Sequence, residues 1–201
     1  MAIDKKQVID NLSKLRVAGG ANGLIDAFGV MVNQLPASFW NAFAERLTMN
    51  ADPDMLEATE YLLVNAAHEC GYHTGYGIIT SDEWNAVVKP MVEQVPEDVL
   101  HGAFAVLAAL GWANGDIVTL VPGEKLIYRA YRYYEADGIQ AGHSPNYCAY
   151  MLRGITAAFM DLAYGGPYDK TGKTGLRTFT SVQVKGLECG DDFGEFVVSR
   201  S

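Results

Sequence analysis

Cys148-Ala149-Tyr150-Met151-Leu152-Arg153-Gly154-Ile155-Thr156-Ala157-Ala158-Phe159-Met160-Asp161-Leu162 is the stretch around which the rest of the chain is arranged. Cys148, Leu152, Ile155, Phe159 and Leu162 fall at i, i+4, i+7, i+11 and i+14, which is one face of an α-helix. Gly154, Ala157 and Ala158 lie beside that stripe and leave room for a second element to come close. Downstream, residues 177–187 alternate bulky and small groups as a strand does, and residues 193–198 form a short apolar run. Glu188-Cys189-Gly190-Asp191-Asp192 between them reads as a polar turn. The unit is an amphipathic helix that begins near Asn146, a glycine-rich loop and a closing hairpin.

Working back from it, Pro122-Gly123 joins two β-branched and aromatic runs, residues 116–121 and 125–135, into an earlier hairpin. Tyr128, Tyr131, Tyr133 and Tyr134 occupy both faces of its second strand, and residues 137–145 read as a polar loop. Before residue 115 the period is helical. Residues 4–16 read as a short helix and Leu24 to Leu35 as a second that ends at Pro36. Ser38 caps a third, which carries Phe39, Trp40, Phe43 and Leu47. Asp52-Pro53 opens the longest helix, with Asp52 as N-cap and Pro53 at its first position. Further helices start at Ser81-Asp82-Glu83-Trp84 and at Glu97, the latter predicted to run to Ala113. Helices, a hairpin, a helix and a second hairpin predict an α+β fold. Its expected sheet is antiparallel and roughly four-stranded, packed with helices. Residues 1–50 form an N-terminal helical segment, a candidate dimer arm, and residues 51–201 the main domain.

The chain has 201 residues, enough for one sizeable core. Apolar residues make up 49% and charged residues 19%, which excludes a disordered chain. A net charge of -9 and the lack of a basic run argue against a nucleic-acid or anionic-membrane partner. No apolar run approaches a bilayer span, and the start lacks the apolar core of a signal peptide. Cys70, Cys148 and Cys189 are odd in number and widely spaced, as free thiols of the cytoplasm are.

Motifs for catalysis are weak. Residues 166–174 end like a phosphate loop, but five residues separate the glycines and a strand follows, so no helix N-terminus would hold the phosphate. His68 and His73 are five apart, off the i, i+4 spacing that pairs metal ligands on a helix. Cys70 reads most simply as a small buried hydrophobe. Glu188, Asp191 and Asp192 read as solvated turn carboxylates, with general acid or base work as the alternative. His101 and Trp112 are eleven residues apart, so they share a face if one helix carries both. An imidazole, an indole wall and nearby tyrosines would suit a small apolar ligand with one polar group. Plain core packing explains the same pair equally well.

Residues 148–160, with the Cys189-Gly190-Asp191-Asp192 turn and the Phe196-Val197-Val198 strand, resemble the 4-vinyl reductase domain family. That family includes the sensory domains of phenol- and xylene-responsive transcription activators and shares its fold with vesicle-tethering TRAPP subunits. The resemblance covers roughly residues 53–198. It implies a hydrocarbon-binding pocket enclosed by sheet and helices, a homodimer, and a His and a Trp on the ligand at the positions of His101 and Trp112. The sensors also hold structural zinc through four ligands, whose positions here are Cys148, Gln183, Gly186 and about Gly194. One ligand of four cannot close a tetrahedral site, so no metal or other cofactor is expected and packing should replace the clip. A second branch, the aminothiazoline-carboxylate hydrolases, opens heterocycles. His68, Cys70, His73 and Cys148 are the candidates for such chemistry.

The resulting expectation is a cytoplasmic protein that binds a small hydrophobic or aromatic molecule in an enclosed pocket lined by His101, Trp112, Tyr128, Tyr131 and Phe159. A small hydrolase and a pairing scaffold with a vestigial pocket are the competing readings.

Overall fold

The computed structural model describes residues 3–15, 18–49, 51–137 and 144–201; most of the polar loop expected at 137–145 lies outside them. The helices are α1 (Lys5–Leu12), α2 (Ala37–Thr48), α3 (Pro53–Thr80), α4 (Asp82–Val87), α5 (Glu97–Ala109) and α6 (Tyr150–Tyr164). The strands are β1 (Ile25–Ala27), β2 (Val30–Val32), β3 (Ala113–Val121), β4 (Lys125–Tyr133), β5 (Phe179–Lys185) and β6 (Gly194–Arg200). The α+β expectation holds: β3-β4-β6-β5 form a four-stranded antiparallel sheet, and helices pack on it. Among the described residues no helix is long and apolar enough to cross a membrane.

Register turns strand alternation into an inner and an outer face. Leu126 pairs with Val198, and Tyr128 with Phe196, so their side chains line the buried side. Ile127 pairs with Val197, which in turn pairs with Val182, on the outer side. Against the inner face lie α5 and α6, and α3 packs along α6. Gly154 makes that last contact possible. A Cβ there would stand 2.5 Å from the Ala67 Cβ and 2.5 Å from the His68 backbone nitrogen. Gly154, and Ala158 opposite Gly71, therefore meet α3, as their size predicts.

Two expectations change. Residues 24–35 form the β1–β2 hairpin, not a helix, because Phe28 (φ 54°) and Gly29 (φ 68°) both turn left-handed between short β-branched segments. The helix at Glu97 stops at Ala109, and Gly111 (φ 78°) then reverses the chain into β3. The N-terminal segment divides in its packing. Val8 and Leu12 of α1 join Phe28, Ile78, Trp84, Val88, Ala105 and Val106 in a second core, whereas α2 buries none of its residues.

Candidate functional site

Beneath the sheet the expected chamber is filled by rings. Phe104 of α5 stacks on Tyr128 of β4 with centroids 4.3 Å apart, and Phe159 of α6 meets Phe104 edge-on at 5.2 Å. Phe196 of β6 lies 6.5 Å from Tyr128 and 6.2 Å from Tyr133. A gap of about 10 Å³ lies between α3, α5 and α6, walled by Ile79, Val99, Leu100, Ala103, Phe159 and Leu162. That is about the least that admits one water, and the walls are apolar.

One polar atom breaks the pattern. The Tyr128 hydroxyl is enclosed and has no hydrogen-bond partner. It lies under β3, where a Cβ on Gly115 would come within 2.7 Å of it. Burial, with lesser contributions from Asp116 and Tyr131, pushes its ionisation well above the ordinary tyrosine range, so it stays a neutral donor and acceptor.

The other ligand candidates separate. His101 is exposed on α5, while Leu100 and residues 102–107 are buried. Trp112 is half-buried at the rim of the main core, edge-on to Tyr134 at 5.9 Å. Since the helix ends before Trp112, the argument for a shared face does not apply to this pair. Tyr131 is 44% exposed on the outer side of the sheet, and Phe159 is buried at the gap.

The four catalytic candidates also have separate surroundings. His68 Nε2 lies 2.7 Å from Asp161 Oδ2, and the Asp161 carboxylate accepts the N–H groups of Arg177 (2.6 Å) and Phe179 (2.9 Å). This buried pair fastens α3 to α6 and to the start of β5. Cys70 is exposed beside the Thr74 hydroxyl, at 3.7 Å, not buried as its spacing suggested. His73 Nδ1 meets the Tyr168 hydroxyl at 2.9 Å, and Tyr168 stacks on Tyr76 at 3.6 Å. Burial first, then Glu188, pushes the Cys148 thiol far above its ordinary range, which removes the thiolate a nucleophile needs. The phosphate-loop look-alike is an acid-centred turn. Asp169 accepts N–H groups from Thr171, Lys173 and Thr174, and the N–H and hydroxyl of Thr171 first, then those of Thr174, draw its pKa down to about 2.

Glu188 overturns the reading of its turn as wholly solvated. It is 0% exposed, and its carboxyl accepts the Tyr133 hydroxyl, Gln183 Nε2 (2.8 Å) and the Cys148 N–H (3.0 Å). Gln183 Oε1 accepts the Ala149 N–H at 3.2 Å, and Tyr133 accepts the Leu187 N–H at 2.9 Å. This network occupies the place of the zinc site that the resemblance implies. The donor set does not suit the metal: the Gln183 amide is engaged at both ends, Gly186 and Gly194 offer no ligand, and a Cβ at Gly194 would meet the Tyr133 ring at 2.7 Å. Hydrogen bonds join the expected packing, in which Phe179, Phe196 and Val198 share one core with Leu152, Ile155 and Phe159, to tie the closing hairpin to α6.

Glu135 has no local sequence signal, because it acts far along the chain. It is buried and accepts the N–H groups of Met151 (2.7 Å) and Leu152 (3.0 Å), capping α6, whose own N-cap Ala149 has no side-chain oxygen. Burial pushes its carboxyl up to about 8, against the pull of those two N–H groups. Phe104 and Phe196 were legible only as members of apolar runs.

No protein-family model matches the sequence, and none of the curated proteins matches it. Solved structures do. The phenol-responsive sensory domain of the transcription activator PoxR, determined with phenol, superposes with a TM-score of 0.69 at 14% identity, covering 100% of this chain and 92% of that one. This chain shares the fold of that domain. A trafficking protein particle complex subunit 3 from Naegleria fowleri, covalently bound to palmitic acid, has a TM-score of 0.57 at 11% identity, covering 82% of this chain and 92% of that one. At such identities the likeness is one of fold, and it lends no support to the 4-vinyl reductase assignment.

Proposed function

We propose that this chain is a binding domain for a small hydrophobic or aromatic molecule, taken up between the sheet and α5 and α6. The carrying observation is the enclosed, partnerless hydroxyl of Tyr128, under Gly115 of β3, on a ring that stacks on Phe104 with Phe196 nearby and Phe159 beyond Phe104. A buried hydroxyl without a partner costs about 1–3 kcal/mol, and a phenolic guest would supply the missing bond while its ring joined the stack. The sensory domain of the same fold was determined with phenol, the compound class this interior suits. Since the interior is closed, uptake requires α5 and α6 to part at the gap beside Phe159, and the apparent affinity falls by the fraction of time spent open. Tyr128 and Phe159 carry recognition in this reading; His101, Trp112 and Tyr131 lie outside the stack. The hydrolytic reading has no observation in its favour, because its four candidates face different partners. Three free thiols fit a cytoplasmic setting, and the net negative charge fits a protein without a nucleic-acid partner.

The test is thermal unfolding with phenol, cresols and toluene, alongside native mass spectrometry of the purified chain. A saturable rise in Tm with phenol that is weakened by Tyr128→Phe supports the proposal. A Tm unmoved by any of these compounds, with no retained small molecule, overturns it.

The filled interior and the exposed apolar side of α2 favour a second reading, a pairing scaffold. Phe39, Trp40, Phe43 and Leu47 are 41–50% exposed, which fits a homodimer arm. Self-association without any ligand response would select this reading.

A further inference from the structure

A second cleft, separate from Tyr128 and Phe159, lies where the first turns of α3 pass the start of α6 and the edge strand β5. Its volume is about 410 Å³, within the range of small-molecule sites. Leu56 and Val182 give it apolar walls, Tyr147 a flat one, and Glu57, Glu60 and Arg153 its charges. Arg153 is the anomaly. Its side chain is 22% exposed and its Nε is enclosed without a hydrogen-bond partner. Its nearest acid, Glu60, stands 3.9 Å from Nη1, beyond hydrogen-bond reach, and Glu60 already accepts the Tyr150 hydroxyl at 3.2 Å. An enclosed guanidinium Nε without an acceptor among the described residues, on an arginine held only by a loose ion pair, is rare, since the planar fork is built to meet an acceptor.

Charge decides what kind of acceptor. The cleft holds two carboxylates against one guanidinium, in a chain of net charge -9, so a bare anion would be repelled by Glu57 and Glu60. A bare cation would leave Arg153 unmatched. A neutral group that presents an acceptor beside a donor meets both, its oxygen toward Arg153 and its N–H toward a glutamate. We infer that the cleft between α3, α6 and β5 is a second small-molecule site, selective for a neutral amide or lactam edge carried on an apolar body. The site stands independently of the interior reading, because neither Tyr128 nor Phe159 lines it.

The experiment uses the full ¹⁵N-labelled chain and follows the Arg153 Nε–Hε resonance together with the amides of Tyr147, Val182 and Gln183. The probe is 2-pyridone, a flat lactam, with benzoate and benzylamine as charged comparators. The expected result is a saturable shift of these signals with 2-pyridone and affinity about tenfold weaker for either charged probe. Arg153→Met should abolish the shift of the Val182 and Gln183 amides. Glu57→Gln, at an exposed position, should weaken 2-pyridone binding at unchanged Tm. No saturable shift with 2-pyridone, benzoate binding more tightly than 2-pyridone, or shifts that persist in Arg153→Met at unchanged Tm would each overturn the assignment.

Discussion

Glu188 is fully buried, and its oxygens face the Tyr133 hydroxyl, the Gln183 amide and the Cys148 N–H. Removing it leaves the Cys148 N–H and the Tyr133 hydroxyl without this acceptor; Gln183 keeps a second one in the Lys185 carbonyl, at 3.1 Å. Each stranded donor costs about 1–3 kcal/mol, so Glu188→Ala should destabilise the chain by about 3 kcal/mol or more in urea titration. Glu188→Gln keeps the shape and one oxygen, and should cost about 1 kcal/mol. Equal losses for the two variants would show that the side chain's volume matters more than its bonds. Tyr128 behaves in the opposite sense. Its hydroxyl has no partner to lose, so Tyr128→Phe should leave stability unchanged or raise it by about 1 kcal/mol, and a clear loss by the same titration would reveal a hidden partner. Residue identity told little of this. A glutamate in a Gly-Asp-Asp turn reads as solvated, and only the folded chain shows what surrounds it.

At the scale of elements, α6 depends on groups from elsewhere in the chain at its start and along its length. Gly154 to Ala in an open helix would gain about 1 kcal/mol from propensity. Here the new Cβ would meet the α3 backbone, with the His68 nitrogen at 2.5 Å and the Ala67 carbonyl carbon at 2.7 Å. Overpacking against backbone costs about 1–3 kcal/mol and should win, so Gly154→Ala is expected to lower the urea midpoint, and a higher midpoint would show that α3 and α6 can separate freely. The start of α6 carries a pH signature through Glu135. The folded chain holds the Glu135 proton up to about 8, against an ordinary value of 4.5. The group's contribution to stability is therefore fully present below about pH 4.5, declines as the pH rises, and is lost above about 8. Stability profiles of the native chain and Glu135→Gln should differ by this falling component, whereas parallel profiles would mean that Glu135 titrates normally. The apolar stripe of α6 was plain in the sequence at helical spacing. Its cap was not, because Glu135 lies fifteen residues before Tyr150 and no local pattern links them.

For the whole molecule, two apolar features bear on function, the filled interior and the exposed side of α2. Phe39, Trp40, Phe43 and Leu47 are more apolar than a solitary surface helix needs, and α2 buries no residue of its own. If this face pairs two copies, Phe43→Asp should shift sedimentation from dimer to monomer without lowering the unfolding midpoint of the isolated fold. A wild-type chain that sediments as a monomer at every concentration would rule the pairing out. Which of the two surfaces serves function decides between a ligand-binding domain and a scaffold.

The sequence by itself determined the layered architecture. Apolar residues at helical spacing in 148–162, alternation in 177–187 and apolar runs in 125–135 and 193–198 can be buried in only a few ways, and burial is the dominant favourable term. It also marked Gly154 as a place where another element could come close; that this element is helix α3 came from the structure. Tertiary structure alone decided the rest. The β1–β2 hairpin depends on two left-handed residues, and Gly29 sits so close to α3 that a Cβ would come 2.6 Å from the Gly77 carbonyl oxygen. Whether Phe104, Tyr128, Phe159 and Phe196 leave a chamber or fill it turns on ring orientations of a few ångströms, which composition and periodicity do not encode. The same holds for Glu135, Glu188 and Arg153. A polar side chain's role is set by the groups that fold around it, and those groups come from distant parts of the chain.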